Sequence, residues 1–244
     1  MKISLQSAVA AGLLLGLGLS AAPALSQNLI ENGDFERPEM DGGWSVFTSV
    51  PGWTIDGGAG LEIWHNLKAY PYSGDQHVEL DGYDNTTISQ DVPTEAGKNY
   101  VLSYAWAPRP GIAENSMVVY VNDLWADDHA ASGAAGEIDW TDEAYSFTAE
   151  GDVTNIGFAE VGPSDGLGML LDAVSLKLDT DADLVPDDAD NCPYTYNPEQ
   201  DDVNNCICDT DASLDLGQIT IDTTPGHEDQ DHARFKMTGL TGLA

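Results

Sequence analysis

The chain has 244 residues, and 42 Asp and Glu against 8 Lys and Arg give it a formal charge of −34 at pH 7. So negative a surface repels phosphate, which makes nucleic acid and anionic membrane poor partners and leaves cations, neutral sugars and basic surfaces open. The same acidity also suits a saline habitat, where it keeps a protein soluble and says little about ligands.

Lys2 precedes an apolar run from Ala8 to Leu19 that is too short to cross a bilayer, and the small residues Ala24 and Ser26 lead to a cut before Gln27. Residues 1–26 are therefore expected to be a signal peptide, with a retained N-terminal anchor as the alternative. No later segment is apolar enough to anchor the chain. The remainder is long enough for one substantial core and a small appendage.

From Asn28 to Leu178 the pattern has period two. Tyr100, Leu102, Tyr104 and Trp106 share one strand face, Met117, Val119 and Val121 another, and Ile156 and Phe158 a third. Turn residues punctuate them at Glu95-Ala96-Gly97, Pro108-Arg109-Pro110-Gly111 and Pro163-Ser164-Asp165-Gly166. Many short alternating strands with no sustained 3.6-residue period predict an all-β, antiparallel β-sandwich over residues 27–178. Continuing the alternation through Leu170, Val174, Leu176 and Leu178 places Asp172 on the apolar face. A carboxylate there needs a partner, hydrogen bonds or a metal.

Asn32-Gly33-Asp34-Phe35-Glu36, Trp44 and Pro51-Gly52-Trp53 open this region, and Leu171-Asp172-Ala173-Val174-Ser175-Leu176 closes it. Between them stand Gly60-Leu61-Glu62-Ile63-Trp64, Gly74-Asp75-Gln76-His77-Val78-Glu79-Leu80-Asp81-Gly82 and Ile88-Ser89-Gln90. In this order the motifs resemble the galactose-binding-like jelly roll of carbohydrate-binding modules, of plant cell-wall proteins built on a domain of unknown function, and of bacterial choice-of-anchor surface proteins. The resemblance implies first and last strands side by side. It also implies a structural Ca²⁺ between them, held by the carboxylates of Glu36 and Asp172 and the carbonyl of Gly33. The other reading of Asp172 is that it accepts hydrogen bonds from a neighbouring turn.

Sugar recognition needs an aromatic face beside hydrogen-bonding side chains. Trp64 with Tyr70 and Tyr72 lies in a loop-like stretch broken by Pro71 and Gly74, and is the candidate platform. Trp106 ends a strand just before Arg109, which is expected to project from the rim. Trp125 and Trp140 flank an acidic, Gly/Ala-rich connection, while Trp44 and Trp53 read as core. A Trp in a sandwich is more often core than platform. For catalysis no carboxylate pair is singled out, no Ser has a Gly-x-Ser-x-Gly context, and His227 and His232 are five apart where the zinc-protease motif needs four.

The densest acidity follows. Asp179 to Asp211 holds eleven acids and no Lys or Arg, and so polar a segment folds only if a counter-ion neutralises it. Asp179, Asp181, Asp183, Asp187 and Asp190 stand at loop positions 1, 3, 5, 9 and 12, with the carbonyl of Val185 at 7. That order of oxygen donors suits Ca²⁺. With Asn191-Cys192-Pro193, Asn197-Pro198, Gln200 and Asp202 the run resembles a thrombospondin type 3 repeat. Where that family has Gly the chain has Leu184, at a sharp turn expected to need φ > 0. A left-handed Leu costs about 1–2 kcal/mol, so the Ca²⁺ site is expected to be weak for its kind. The alternative is a disordered acidic linker.

The cysteines Cys192, Cys206 and Cys208 all fall in this module, and in an exported chain they favour a disulfide over a thiolate metal site. Cys206 and Cys208 are too close to bridge comfortably, so Cys192 takes one of them. The resemblance favours Cys208, because Cys208-Asp209 matches the Cys-Asp that ends related repeats. Residues 212–244 read as a polar, disordered tail after the repeat at 179–211.

The expected protein is thus a secreted or cell-surface, non-catalytic calcium-binding protein. Its sandwich contacts carbohydrate or extracellular matrix and its repeat acts as a spacer or adhesion element. The alternatives are a glycan-active enzyme and a purely structural surface protein.

Overall fold

The computed structural model describes residues 27–66 and 70–201. The expected signal peptide, the polar tail, Asp202, Cys206 and Cys208 lie outside the described residues. Among the described residues the chain forms strands only: β1 (Gly43–Phe47), β2 (Thr54–Asp56), β3 (Leu61–His65), β4 (Gln76–Glu79), β5 (Thr87–Pro93), β6 (Asn99–Ala107), β7 (Asn115–Val121), β8 (Leu124–Ala131), β9 (Thr141–Thr148), β10 (Val153–Glu160) and β11 (Leu170–Leu178). They make a six-stranded sheet, β1-β3-β4-β11-β6-β9, and a five-stranded sheet, β2-β5-β10-β7-β8. Every paired neighbour is antiparallel. This is the all-β antiparallel sandwich that the alternation predicts, in the jelly-roll form that the resemblance implies.

One core lies between the sheets. Tyr100, Leu102 and Tyr104 of β6 meet Met117 and Val119 of β7 and Ile156 and Phe158 of β10 there, and each large apolar side chain removed from water contributes about 1.5–3 kcal/mol. The β7–β8 hairpin is closed by Asn122 and Asp123, both left-handed at φ 52° and 61°. Two such residues give the turn whose twist matches that of the flanking strands. Trp53 is core, stacking on Phe35 at 5.4 Å and donating Nε1–H to the Asn32 carbonyl. Trp44 is not: it stands half exposed on the outer face of β1.

The N-terminal segment lies along the last strand. Leu29 N–H donates to Leu176 O, and Val174 N–H donates to Gly33 O. Gly33 is required by this approach, since a Cβ there would fall 2.0 Å from the Val174 carbonyl oxygen.

Strand β11 departs from strict alternation. Asp172 faces Ala105 and Ser175 faces Ser103, so one extra residue is inserted between them, with Ala173 left-handed at φ 51°. This β-bulge re-aims the side chains. Leu171, Val174 and Leu176 reach the core, while Asp172 points with Leu170 to the outer face of the six-stranded sheet. The expectation that Asp172 shares a face with Val174 and Leu176 is therefore corrected.

The acidic segment packs on the end of the sandwich. Asp179 N–H donates to Asn99 O, Asp187 N–H to Leu178 O, and Asn99 Nδ2 to Thr180 O, and Lys177 pairs with Asp188 at 2.8 Å.

Candidate metal centre and outer sheet face

Asp179, Asp181 and Asp183 converge, with their carboxylate oxygens within 4.8 Å of one another. Asp179 is held by the N–H groups of Asp183 and Leu184, and Asp183 by those of Val185 and Asn197. Both oxygens of Asp181, Oδ2 of Asp190 and Oδ1 of Asn197 are buried without a donor. Burial pushes the Asp181 carboxyl up to about 6, and the charges of Asp183, Asp190 and Asp179 add to that. Buried oxygens lacking donors, among mutually repelling carboxylates, are the arrangement a hard divalent cation completes. Leu184 has φ 76°, the left-handed geometry its place in the repeat demands.

Asp187 does not join the cluster. It is not among the carboxylates that converge within 4.8 Å, and its two oxygens accept from the amide and hydroxyl of Thr180 at 2.6 and 2.7 Å. The amide of Val185 holds Asp183. Gln200 donates to Asp190 Oδ1 and, with its backbone carbonyl, fastens Asn191, so the Asn-Pro-x-Gln stretch clamps the loop. Cys192 is buried; Cys208, its expected partner, is outside the described residues.

At the calcium position expected between Glu36 and Asp172, both carboxylates accept hydrogen bonds from the protein. Glu36 Oε1 accepts the amides of Asp75 and Gln76, and Asp172 accepts the amides of Ser73 and Ala173 and the Ser73 hydroxyl. The Gly33 carbonyl accepts from Val174. The turn at 73–76 thus supplies the donors, which is the other reading given to Asp172. Burial still pushes the Asp172 carboxyl up to about 7, against these hydrogen bonds.

On the outer face of the six-stranded sheet the structure corrects the Trp64 platform. Trp64 lies in β3, not in a loop, and is only 2% exposed. Its Nε1–H donates to Glu62 at 2.6 Å, and the Arg109 guanidinium covers its ring at 4.8 Å. Arg109 does not project from the rim but folds back onto buried Glu79, donating to both of its oxygens. Two acids facing each other in neighbouring strands attract one cation, which then blankets the indole. Burial raises the carboxyl groups of Glu62 and Glu79, the latter to about 8, with Arg109 acting in the opposite direction. Trp106 is corrected as well, because its ring turns inward and stacks on His129 at 4.3 Å.

The accessible part of this face lies beyond His77. Trp140 packs edge-on against His77 at 5.4 Å and against Tyr72 at 6.2 Å, and donates to the Tyr70 carbonyl. Tyr72 is 45% exposed and Tyr70 85%. Next to Tyr72 opens a shallow cleft of about 310 Å³ whose floor is Ser103, Ala105, Ala144 and Ala173, with Asp142 beside it. A hydrogen bond to Asp142 raises the Tyr72 hydroxyl pKa. Small floor residues leave room for a ring, while Tyr72 offers a face and Asp142 an acceptor. Asp142 and Ala144 reach this cleft only because β9 is hydrogen-bonded beside β6; nothing in their local sequence marks them. Trp140 carried a signal, as one of two Trp flanking an acidic connection.

Fold and sequence place the chain in a definite class: an antiparallel jelly-roll β-sandwich joined to a segment, residues 172–200, that matches the thrombospondin type 3 repeat. Residues 28–177 match the family described as "Protein of unknown function (DUF642)", and the chain belongs to that family. It is similar to the "Multifunctional-autoprocessing repeats-in-toxin" of Vibrio cholerae serotype O1, at 30% identity over 163 residues. That match covers 65% of this chain and 3% of the relative, so the chain spans a very small part of that protein's length. Among solved structures it is similar to a Stig cyclase from Fischerella sp. TAU, at 14% identity and a TM-score of 0.47, over 63% of this chain and 97% of that one. It is also similar to TmCBM61 in complex with β-1,4-galactotriose, at 16% identity and a TM-score of 0.44, over 63% of this chain and 99% of that one.

Proposed function

We propose that this is an extracellular, non-catalytic carbohydrate-binding protein whose acidic repeat holds Ca²⁺. The observation that carries the sugar reading is the outer-face cleft, where exposed Tyr72, braced by Trp140, stands beside Asp142 above a floor of Ser and Ala. A pyranose stacks its apolar face on Tyr72 and donates a hydroxyl to Asp142. The repeat binds Ca²⁺ through Asp179, Asp181, Asp183 and Asp190, with the Val185 carbonyl completing the set. Asp202 is assigned to the same set from the repeat pattern alone. The domain division is taken as sandwich to Leu178 and repeat from Asp179, and the leader at 1–26 implies export. Because the repeat is tied to β6 and β11, the ion stiffens the end of the sandwich rather than a free spacer.

A glycan array run with and without Ca²⁺ tests this. Binding without turnover, reduced about tenfold by Tyr72→Ala or Asp142→Asn on the scale of one stacking or polar contact, supports the reading. Reducing-sugar release would favour the enzyme alternative, and calcium-dependent self-association without glycan binding would favour a purely structural role.

A further inference from the structure

The sandwich has an open side where β8, the edge of one sheet, faces β9, the edge of the other. Inward-facing positions of edge strands are ordinarily apolar, and Tyr145 and Phe147 of β9 follow that rule. Three positions break it. Asp127 and His129 of β8 pair with Val119 and Met117, core residues, and so point between the sheets. Glu143 of β9 pairs with Tyr104 and does the same.

Their ligand atoms lie within 4.8 Å of one another. His129 Nε2 stands 3.4 Å from Asp127 Oδ2. Ligands at about 2.1 Å around a tetrahedral Zn²⁺ are separated by about 3.4 Å along each edge, so two of the three are already at the spacing one ion imposes. Mixed nitrogen and oxygen donors favour a borderline ion over calcium. His129 is 8% exposed, its ring clamped by Trp106 at 4.3 Å, and the Tyr104 hydroxyl touches both His129 Nε2 and Asp127 Oδ2 at 2.8 and 3.0 Å. The ring is therefore oriented before any ion arrives. Among the described residues no Lys or Arg pairs with Asp127 or Glu143, so none of those cations neutralises the two carboxylates.

We propose that Asp127, His129 and Glu143 bind one Zn²⁺-like divalent ion that staples β8 to β9 and closes the open side of the sandwich. Without the ion, the Tyr104 hydroxyl holds His129 Nε2 and Asp127 Oδ2 side by side, and it gives up both contacts when the ion takes those atoms.

The test is titration of the full chain with Zn²⁺ while about 5 mM Ca²⁺ keeps the acidic repeat occupied. The background is a His227→Gln/His232→Gln variant, which removes competing histidines outside the described residues. One equivalent should bind, raise the melting temperature, and weaken by about tenfold or more in both His129→Gln and Glu143→Gln, since even outer-shell changes at metal sites reach that scale. Co²⁺ in place of Zn²⁺ should give a visible d–d band of tetrahedral intensity that Glu143→Gln diminishes. This second readout decides the matter if His129→Gln fails to fold. No uptake at about 100 μM Zn²⁺, far above the needs of a structural site, would overturn the proposal. So would uptake indifferent to both substitutions, leaving the cluster as charge that blocks strand addition at two sheet edges.

Discussion

Leu184→Gly isolates the cost of the left-handed turn in the repeat. Leu184 holds φ 76° and is 47% exposed, so the side chain contributes little packing. An L-residue in that region costs about 1–2 kcal/mol. Glycine removes this but gives the unfolded loop more freedom, offsetting about 0.5–1 kcal/mol. The net gain is roughly 0.5–1 kcal/mol, or about two- to five-fold. Where Ca²⁺ binding orders the loop, the gain appears as tighter Ca²⁺ binding; where the loop is ordered beforehand, it appears in thermal stability. Isothermal titration of Ca²⁺ and melting curves, read together, capture both. Leu184→Ala is the control, since it trims the side chain without freeing φ, and it should gain nothing. If Leu184→Gly neither tightens Ca²⁺ nor raises the melting temperature, the strain at position 184 is not what limits this repeat.

Trp64→Ala should cost about 3–5 kcal/mol, the range for a buried aromatic cut to Ala, whereas Tyr72→Ala should leave the melting curve within about 0.5 kcal/mol of wild type; equal effects would return both rings to one environment. The Glu62–Glu79 pair sets a pH dependence. Because burial pushes Glu79 up to about 8, the native state keeps a proton that the unfolded chain loses near 4.5, so this contribution is complete at low pH and lost as pH rises through about 8. With Ca²⁺ saturating, the melting temperature should fall by about 3–9 °C between pH 5 and 8, taking about 1–3 kcal/mol at about 3 °C per kcal/mol, and Glu79→Gln should flatten that slope; a rising melting temperature would contradict the assignment. Mass spectrometry of exported protein should find Cys192 joined to Cys206 or Cys208, and three free thiols would refute both the export reading and the cysteine assignment.

The sequence alone determined what depends on local period and short-range spacing. Alternation in β6, β7 and β10 named the core residues correctly, because a strand's side-chain period is two wherever it lies. The acidic repeat was legible down to the left-handed backbone at Leu184, because its oxygen donors and turns come from one continuous stretch. Tertiary structure decided everything that depends on which strands become neighbours. One inserted residue in β11 turned Asp172 from the core to the outer face, where the turn at 73–76 supplies its hydrogen bonds. Trp64 is enclosed largely from other strands, by His77 of β4 and by Arg109, which is drawn across the sheet by Glu79. The cleft of Tyr72 and Asp142 and the Asp127–His129–Glu143 cluster each join strands distant in sequence. Such juxtapositions follow from pairing and closure of the two sheets, which no local pattern encodes.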